Sequence, residues 1–195
     1  MGAALLLLTL LASLGVFAVA VRGAISPGAP PLPIVDLLPG DALDESDGLL
    51  PEDRTVTVHE DELPAIANLD ASLLTALRAA AGDAAEDGVS FQVNSAWRSP
   101  ALQESLLEDA VERYGSREEA ARWVASPETS SHVRGEAIDL GPVDATSWLS
   151  QHGAEHGLCQ TYANEPWHYE LRPEAVEDGC PEQFLDPTHD PRLQS

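Results

Sequence analysis

Two short segments of this chain, 130-SSHVRGEAID-139 and 165-EPWH-168, carry the side chains that a hydrolytic zinc site needs. Such a site takes three ligands from His, Asp and Glu and leaves one position open. His132, Asp139 and His168 make a two-histidine, one-carboxylate set. Gly135 lets the chain turn between His132 and Asp139, so that residues seven positions apart can meet one ion. A carboxylate beside the metal, Glu165, can act as general base toward an attacking water and pass the proton to the leaving amine. Arg98 offers an always-charged fork for a substrate carboxylate or a developing oxyanion. A competing pattern, 152-HGAEH-156, fits H-x-x-E-H. Gly153 weakens a helix there, Gly157 ends it at once, no further carboxylate is placed by pattern, and His156 and Glu155 fit a solvated last turn.

These groups need elements to hold them. The stretch 70–88 reads as a helix, with Asp70 as N-cap, an apolar stripe of Leu73, Leu74, Leu77 and Ala81, and Gly88 as the stop. The segment 89-VSFQVNSAWR-98 alternates as a half-buried strand, with Val89, Phe91, Val93 and Trp97 on one face and Arg98 on the other. Ser99-Pro100 opens a helix through Arg113, and Ser116 with Glu119 forms a capping box for a helix over 116–125. Residues 136–140 and 167–171 alternate as two more strands. In the second, Trp167, Tyr169 and Leu171 share the core face and His168 and Glu170 the other. Residues 144–156 read as a helix. Pro166 marks the last strand's entry and frees Glu165 from the alternation, since proline fixes φ and donates no hydrogen bond. The element order predicts an α+β domain with helices gathered on one face of a small sheet. The polar strand faces carrying Arg98, Asp139 and His168 then converge on one cleft.

With these residues in place, the chain resembles the VanY-like D-alanyl-D-alanine carboxypeptidases, in the LAS group of zinc peptidases that also holds the VanX dipeptidases. The pattern S-x-H-x-x-G-x-A-x-D is met at Ser130, His132, Gly135, Ala137 and Asp139, and E-P-W-H at 165–168. The family's arginine-serine turn, with a glutamine four residues on, resembles Arg98-Ser99 and Gln103. The resemblance implies a mainly antiparallel sheet with the zinc cleft on the face opposite the helices. It implies Zn2+ on His132, Asp139 and His168, Glu165 as base, and Arg98 stabilising the transition state. It further implies Ser130, Arg98 and Gln103 at the substrate, although Ser130 also suits a plain turn or cap. The segment 127-PETSSH-132 departs from relatives that carry glycine after the proline.

The formal charge of −23, with all ten basic residues arginine, excludes a nucleic-acid surface and favours a solvated exterior. An uncharged run from Ala3 to Val21 makes residues 1–24 a signal peptide or an N-terminal membrane anchor, so the protein is expected outside the cytoplasm. Residues 25–55 read as a Pro/Gly/acidic linker that partly lies on the domain, 56–186 as the catalytic domain, and 187–195 as a polar tail. Cys159 and Cys180 form an even pair in an exported chain and read as one disulfide clamping the EPWH loop, worth about 3 kcal/mol by loop closure; two reduced thiols are the alternative. The expected protein is a monomeric D,D-carboxypeptidase acting on peptidoglycan stem peptides. The same chemistry on another wall bond (L,D-carboxypeptidase, D,D-dipeptidase or endopeptidase) or a non-catalytic wall-binding module are its alternatives.

Overall fold

The computed structural model describes residues 42–193. The expected signal peptide or anchor and the first part of the linker lie outside the described residues, and no described helix is long and apolar enough to cross a membrane. Two helices and a sheet make the framework. Helix α1 (Pro64–Ala67) leads into α2 (Ala71–Glu86), where Asp70 caps the N-terminus by accepting from the backbone N–H groups of Ser72 and Leu73. Leu73, Leu77, Ala80 and Ala84 recur at helical spacing and are buried. Strand β1 (Gln92–Ser95) follows, then α3 (Pro100–Tyr114), α4 (Arg117–Ala120), β2 (Ala137–Gly141), α5 (Val143–His152), β3 (Leu158–Gln160), β4 (His168–Leu171) and α6 (Ala175–Asp178).

The four strands form one sheet in the order β1-β2-β4-β3, with every pairing antiparallel. Helices α2 and α5 cover one face. There Leu77, Trp148 and Leu149 meet Val93, Ile138, Leu140, Leu158 and Tyr169 in a single core. On the opposite face the register sets Ser95 against Asp139 and Asp139 against His168, a polar row across three strands. A bulge between Val93 and Ser95 re-aims the end of β1 toward that row. The α+β architecture, with helices on one face of a mainly antiparallel sheet, is as the sequence predicts.

Differences from the expected elements have physical causes. Strand β3 is an addition, three residues long and too short for alternation to register. Helix α4 stops at Ala120, its only buried residue, because no apolar stripe continues beyond it; Trp123 instead stacks on Tyr114, 5.7 Å between ring centroids. Trp167 does not join the core. It sits in the turn before β4 and is 38% exposed.

The folded unit extends past both expected limits of the domain. A 3-10 turn at Glu45–Asp47 straps the segment after β1: Asp47 accepts from the Ser99 backbone N–H and hydroxyl, both at 2.7 Å. Gly48, at φ +97°, lies so close to the Trp97 carbonyl that a Cβ would stand 2.2 Å from it. At the other end, the residues expected as a polar tail form 3-10 turns at Pro187–His189 and Pro191–Leu193, with Asp186 and Asp190 fully buried. Their carboxylates are satisfied by arginines and hydroxyls, a pairing that composition alone reads as solvent-facing. Cys159 in β3 and Cys180 after α6 form the expected disulfide.

Candidate metal centre

His132 lies in the turn before β2, where Gly135 at φ +74° presses against the α1–α2 junction. A Cβ there would meet the Asn68 carbonyl at 2.4 Å, and the Gly135 carbonyl accepts from the Asp70 N–H. The turn is thus pinned to the framework, and it delivers His132 opposite the polar row of the sheet. His132, Asp139 and His168 are all buried, at 5%, 7% and 2% exposure. They are the one group of three candidate ligands found among the described residues.

Their facing atoms form a near-equilateral triangle. His132 Nε2 lies 3.2 Å from His168 Nδ1, and Asp139 Oδ1 lies 3.3 Å from each. Ligands bound to zinc at about 2.0–2.1 Å in tetrahedral array stand about 3.4 Å apart, so the triangle fits that ion's coordination edge. The outer atoms of both rings are anchored. His132 Nδ1 meets the Ala96 carbonyl at 2.7 Å, and His168 Nε2 meets Glu170 Oε1 at 3.2 Å. Each partner accepts the outer N–H and leaves the inner nitrogen as a lone-pair donor, the arrangement that metal-binding histidines use.

Glu165 is in the turn before β4, off the strand's alternation as expected. Its Oε2 is 3.9 Å from His168 Nδ1, while its buried Oε1 has no hydrogen-bond partner. Burial pushes the Glu165 carboxyl up to about 7, with the neighbouring Asp139 charge adding to the rise against the pull of His168 and Arg98. The two histidines move in opposite directions. Burial and the Arg98 charge hold His132 below its usual range. Burial also opposes charge on His168, but hydrogen bonds to Asp139 and Glu170 outweigh it and raise this ring to about 9.

Arg98 reaches the cluster from just beyond β1 rather than from within the strand. Its Nε donates to Ser95 Oγ at 2.7 Å, its Nη1 to Gln103 Oε1 at 3.1 Å, and its Nη2 to Asp139 Oδ2 at 2.7 Å. Gln103, expected at the substrate, is 1% exposed and engaged at both ends of its amide, since Nε2 also donates to the Ala125 carbonyl. It props Arg98 and also lines the cleft. Ser130 is buried at the cleft's edge, next to His132. The cleft over this cluster has a volume of about 220 Å³, and its rim carries Leu106, Trp123, Trp167 and Pro187.

His152 and His156 take no part. They pack on the Trp148 ring, at 4.7 and 6.1 Å between centroids, and His156 Nε2 faces Asp83 at 3.3 Å. Glu170 and Tyr162 were not singled out by motif. Tyr162 lines the cleft with its ring 5.1 Å from that of His168. The signal for Glu170 was its place on the same strand face as His168; Tyr162 had none, being separated from the motif by a turn.

A family model described as VanY: D-alanyl-D-alanine carboxypeptidase matches residues 67–174. A D-alanyl-D-alanine carboxypeptidase of Enterococcus faecalis is 30% identical over 108 residues, covering 43% of this chain and 40% of the relative. This chain thus spans about two fifths of that relative's length. Among solved structures, VanYB in complex with D-alanine-D-alanine superposes with a TM-score of 0.52 at 25% identity, over 57% of this chain and 74% of that one. A glutamate-to-alanine variant of a vancomycin-resistance D,D-pentapeptidase VanY, in complex with Zn(II), gives 0.53 at 24% identity over 70% and 92% of the two chains. The LdcB LD-carboxypeptidase gives 0.52 at 20% identity over 69% and 73%. The last two likenesses speak for the fold.

Proposed function

The chain belongs to the VanY family of D-alanyl-D-alanine carboxypeptidases, and from that premise we propose that it is an exported, zinc-dependent D,D-carboxypeptidase that removes the terminal D-Ala of peptidoglycan stem peptides. The observation that carries this reading is the triangle of donor atoms on His132, Asp139 and His168, with a partnerless Glu165 oxygen beside it. The residues fit zinc, which when bound would polarise the scissile carbonyl and acidify a water. Glu165 is the base: its buried oxygen is free to accept a proton from the attacking water, and a carboxyl near 7 can return it to the departing amine. Asp139 holds its inner oxygen toward the histidines because Arg98 holds the outer one. Three of the five Arg98 N–H groups are engaged within the protein. The remaining donors can meet the developing oxyanion or the substrate's carboxylate at the cleft. A bound D-alanine-D-alanine in the VanYB structure supports the choice of substrate. The long apolar run at Ala3–Val21 supports export, by cleavage or anchoring.

The test is release of D-Ala from a pentapeptide stem by the purified protein, with muropeptide mass spectrometry to read which bond breaks. Glu165→Ala should keep zinc and lose turnover by at least about a hundredfold. An active Glu165→Ala protein would sink the mechanism. Binding of stem peptide without product, in zinc-loaded protein, would favour a wall-binding module instead.

A further inference from the structure

The last described turn, Pro191–Leu193, reaches the back of the candidate metal centre. Glu170, 3% exposed, accepts from His168 Nε2 through Oε1. Its other oxygen accepts from Arg172 Nη2 at 2.6 Å and from Arg192 Nη1 at 2.8 Å. Arg172 is two positions along the same segment, whereas Arg192 comes from the turn Pro191–Leu193, the last among the described residues and beyond those that the family model matches. Arg192 is itself fixed by the buried Asp190, whose oxygens accept from Nε at 2.9 and 3.0 Å. Asp190 also accepts the Tyr162 hydroxyl at 3.1 Å, and the Tyr162 ring packs on His168. The contacts close a ring: His168, Glu170, Arg192, Asp190, Tyr162 and back to His168.

We propose that Arg192 is a positioning residue for the metal centre, holding Glu170 so that His168 keeps its ring orientation and presents Nδ1 to the ion. A carboxylate that receives a metal ligand's outer N–H does this only while its own rotamer is fixed. Arg172 alone leaves Glu170 tethered from one side. The planar fork of Arg192 adds a second donor and ties it to Asp190 at the same time. A tail anchor would need only the bonds to Asp190; the Nη1 bond to Glu170 links the tail to the site.

The proposal rests on the zinc assignment above. Its test is zinc affinity, read by competition with a chromophoric chelator on the full chain, with thermal melting of the metal-free protein alongside. Wild-type protein should bind one zinc ion. Arg192→Ala should weaken affinity about tenfold, and Glu170→Gln by between ten- and a hundredfold. Arg192→Lys should recover part of the loss, because an ammonium restores the charge but not the fork. Adding Arg192→Ala to Glu170→Gln should change little, since both act along one path. Unchanged affinity in Arg192→Ala, with or without a lower melting temperature, overturns the proposal and leaves Arg192 a tail anchor. Fully additive losses in the double variant also overturn it. Wild-type protein that takes up no zinc overturns the assignment beneath it, and this proposal with it.

Discussion

The floor of the cleft and one of its walls are supported differently. Asp139 and His168 project from a sheet whose other face is pressed into the main core, where Leu77, Ile138, Leu140 and Tyr169 are at most 1% exposed. The wall that carries Leu106, Trp123 and Val124 belongs to the α3–α4 lobe, whose small cluster buries Leu107, Ala110 and Ala120 with Val111 and Val124 packed partly buried against them. The lobe meets the rest of the molecule through polar contacts: Gln103 under Arg98, Arg122 on Asp186, and the Asn164 amide on the Arg122 carbonyl at 2.8 Å. The division suits the proposed tasks. Metal ligands lose function with displacements of a fraction of an ångström, so they belong on packed strands. A wall that admits and releases peptide can open locally at low cost, and few buried contacts give it that freedom.

The largest effect expected from this difference is on stability. Leu77→Ala removes a side chain from the middle of the main core and should cost about 3 kcal/mol of global unfolding free energy. Leu107→Ala removes the same atoms from the small cluster, whose neighbours can relax into the gap, and should cost about half as much. Denaturant titrations measure both. Hydrogen exchange should quicken throughout the domain in the first variant and mainly in α3 and α4 in the second. Equal costs and equal exchange patterns would mean that the two regions unfold as one, and the contrast would fail.

The carboxylates that hold the His168 ring on the floor also favour its charged form against burial, and that would make zinc uptake sensitive to pH. His168 is raised to about 9, so below that pH the metal-free ring carries a proton on the nitrogen that the ion needs. Protonation competes with zinc below the raised pKa, so affinity should climb with pH, by about tenfold per unit while one proton is displaced per ion. Calorimetry in buffers of different ionisation enthalpy counts that proton. Zinc affinity that stays flat between about pH 6 and 8 would show that His168 is already neutral before the metal arrives.

How much of this was legible beforehand follows the same line. The floor was readable because its residues are few in type and fixed in spacing: His132, Gly135 and Asp139 in one segment, Glu165 and His168 in the other, with Pro166 explaining why the last two can cooperate. The caps at Asp70, Ser99 and Ser116 were readable too, since each works through bonds to its own neighbours. What escaped depends on partners distant in the chain. Asp190 and Arg192 read as a polar tail because burial of a charged pair leaves no trace in local pattern. Trp167 reads as core because the sequence alternation continues one residue past the strand, into the turn. The bonds of Gln103 to Arg98 and to the Ala125 carbonyl depend likewise on partners that its motif position does not name.

The smallest expected effect isolates the wall. Arg122 Nε donates to Asp186 Oδ2 at 3.0 Å, and the next residues along, Trp123 and Pro187, both line the cleft. Arg122 therefore ties the α3–α4 lobe to the C-terminal segment across one side of the site. Arg122→Ala removes that tie and the partner of Asp186 Oδ2, while Oδ1 still accepts from the Thr188 backbone N–H at 3.0 Å and from His189 Nδ1 at 2.9 Å. Asp186 is buried, but nearly half of the Arg122 side chain is exposed, so water can take the guanidinium's place at Oδ2 and the stability cost should stay at about 1 kcal/mol. The consequence should fall on substrate: a KM raised about three- to tenfold with kcat and zinc content held, the signature of lost uniform binding. Steady-state kinetics on a stem pentapeptide, paired with metal analysis, reads all three quantities. A variant that instead lost kcat or zinc at unchanged KM would show that the lobe helps shape the floor, and the two supports would have to be treated as one.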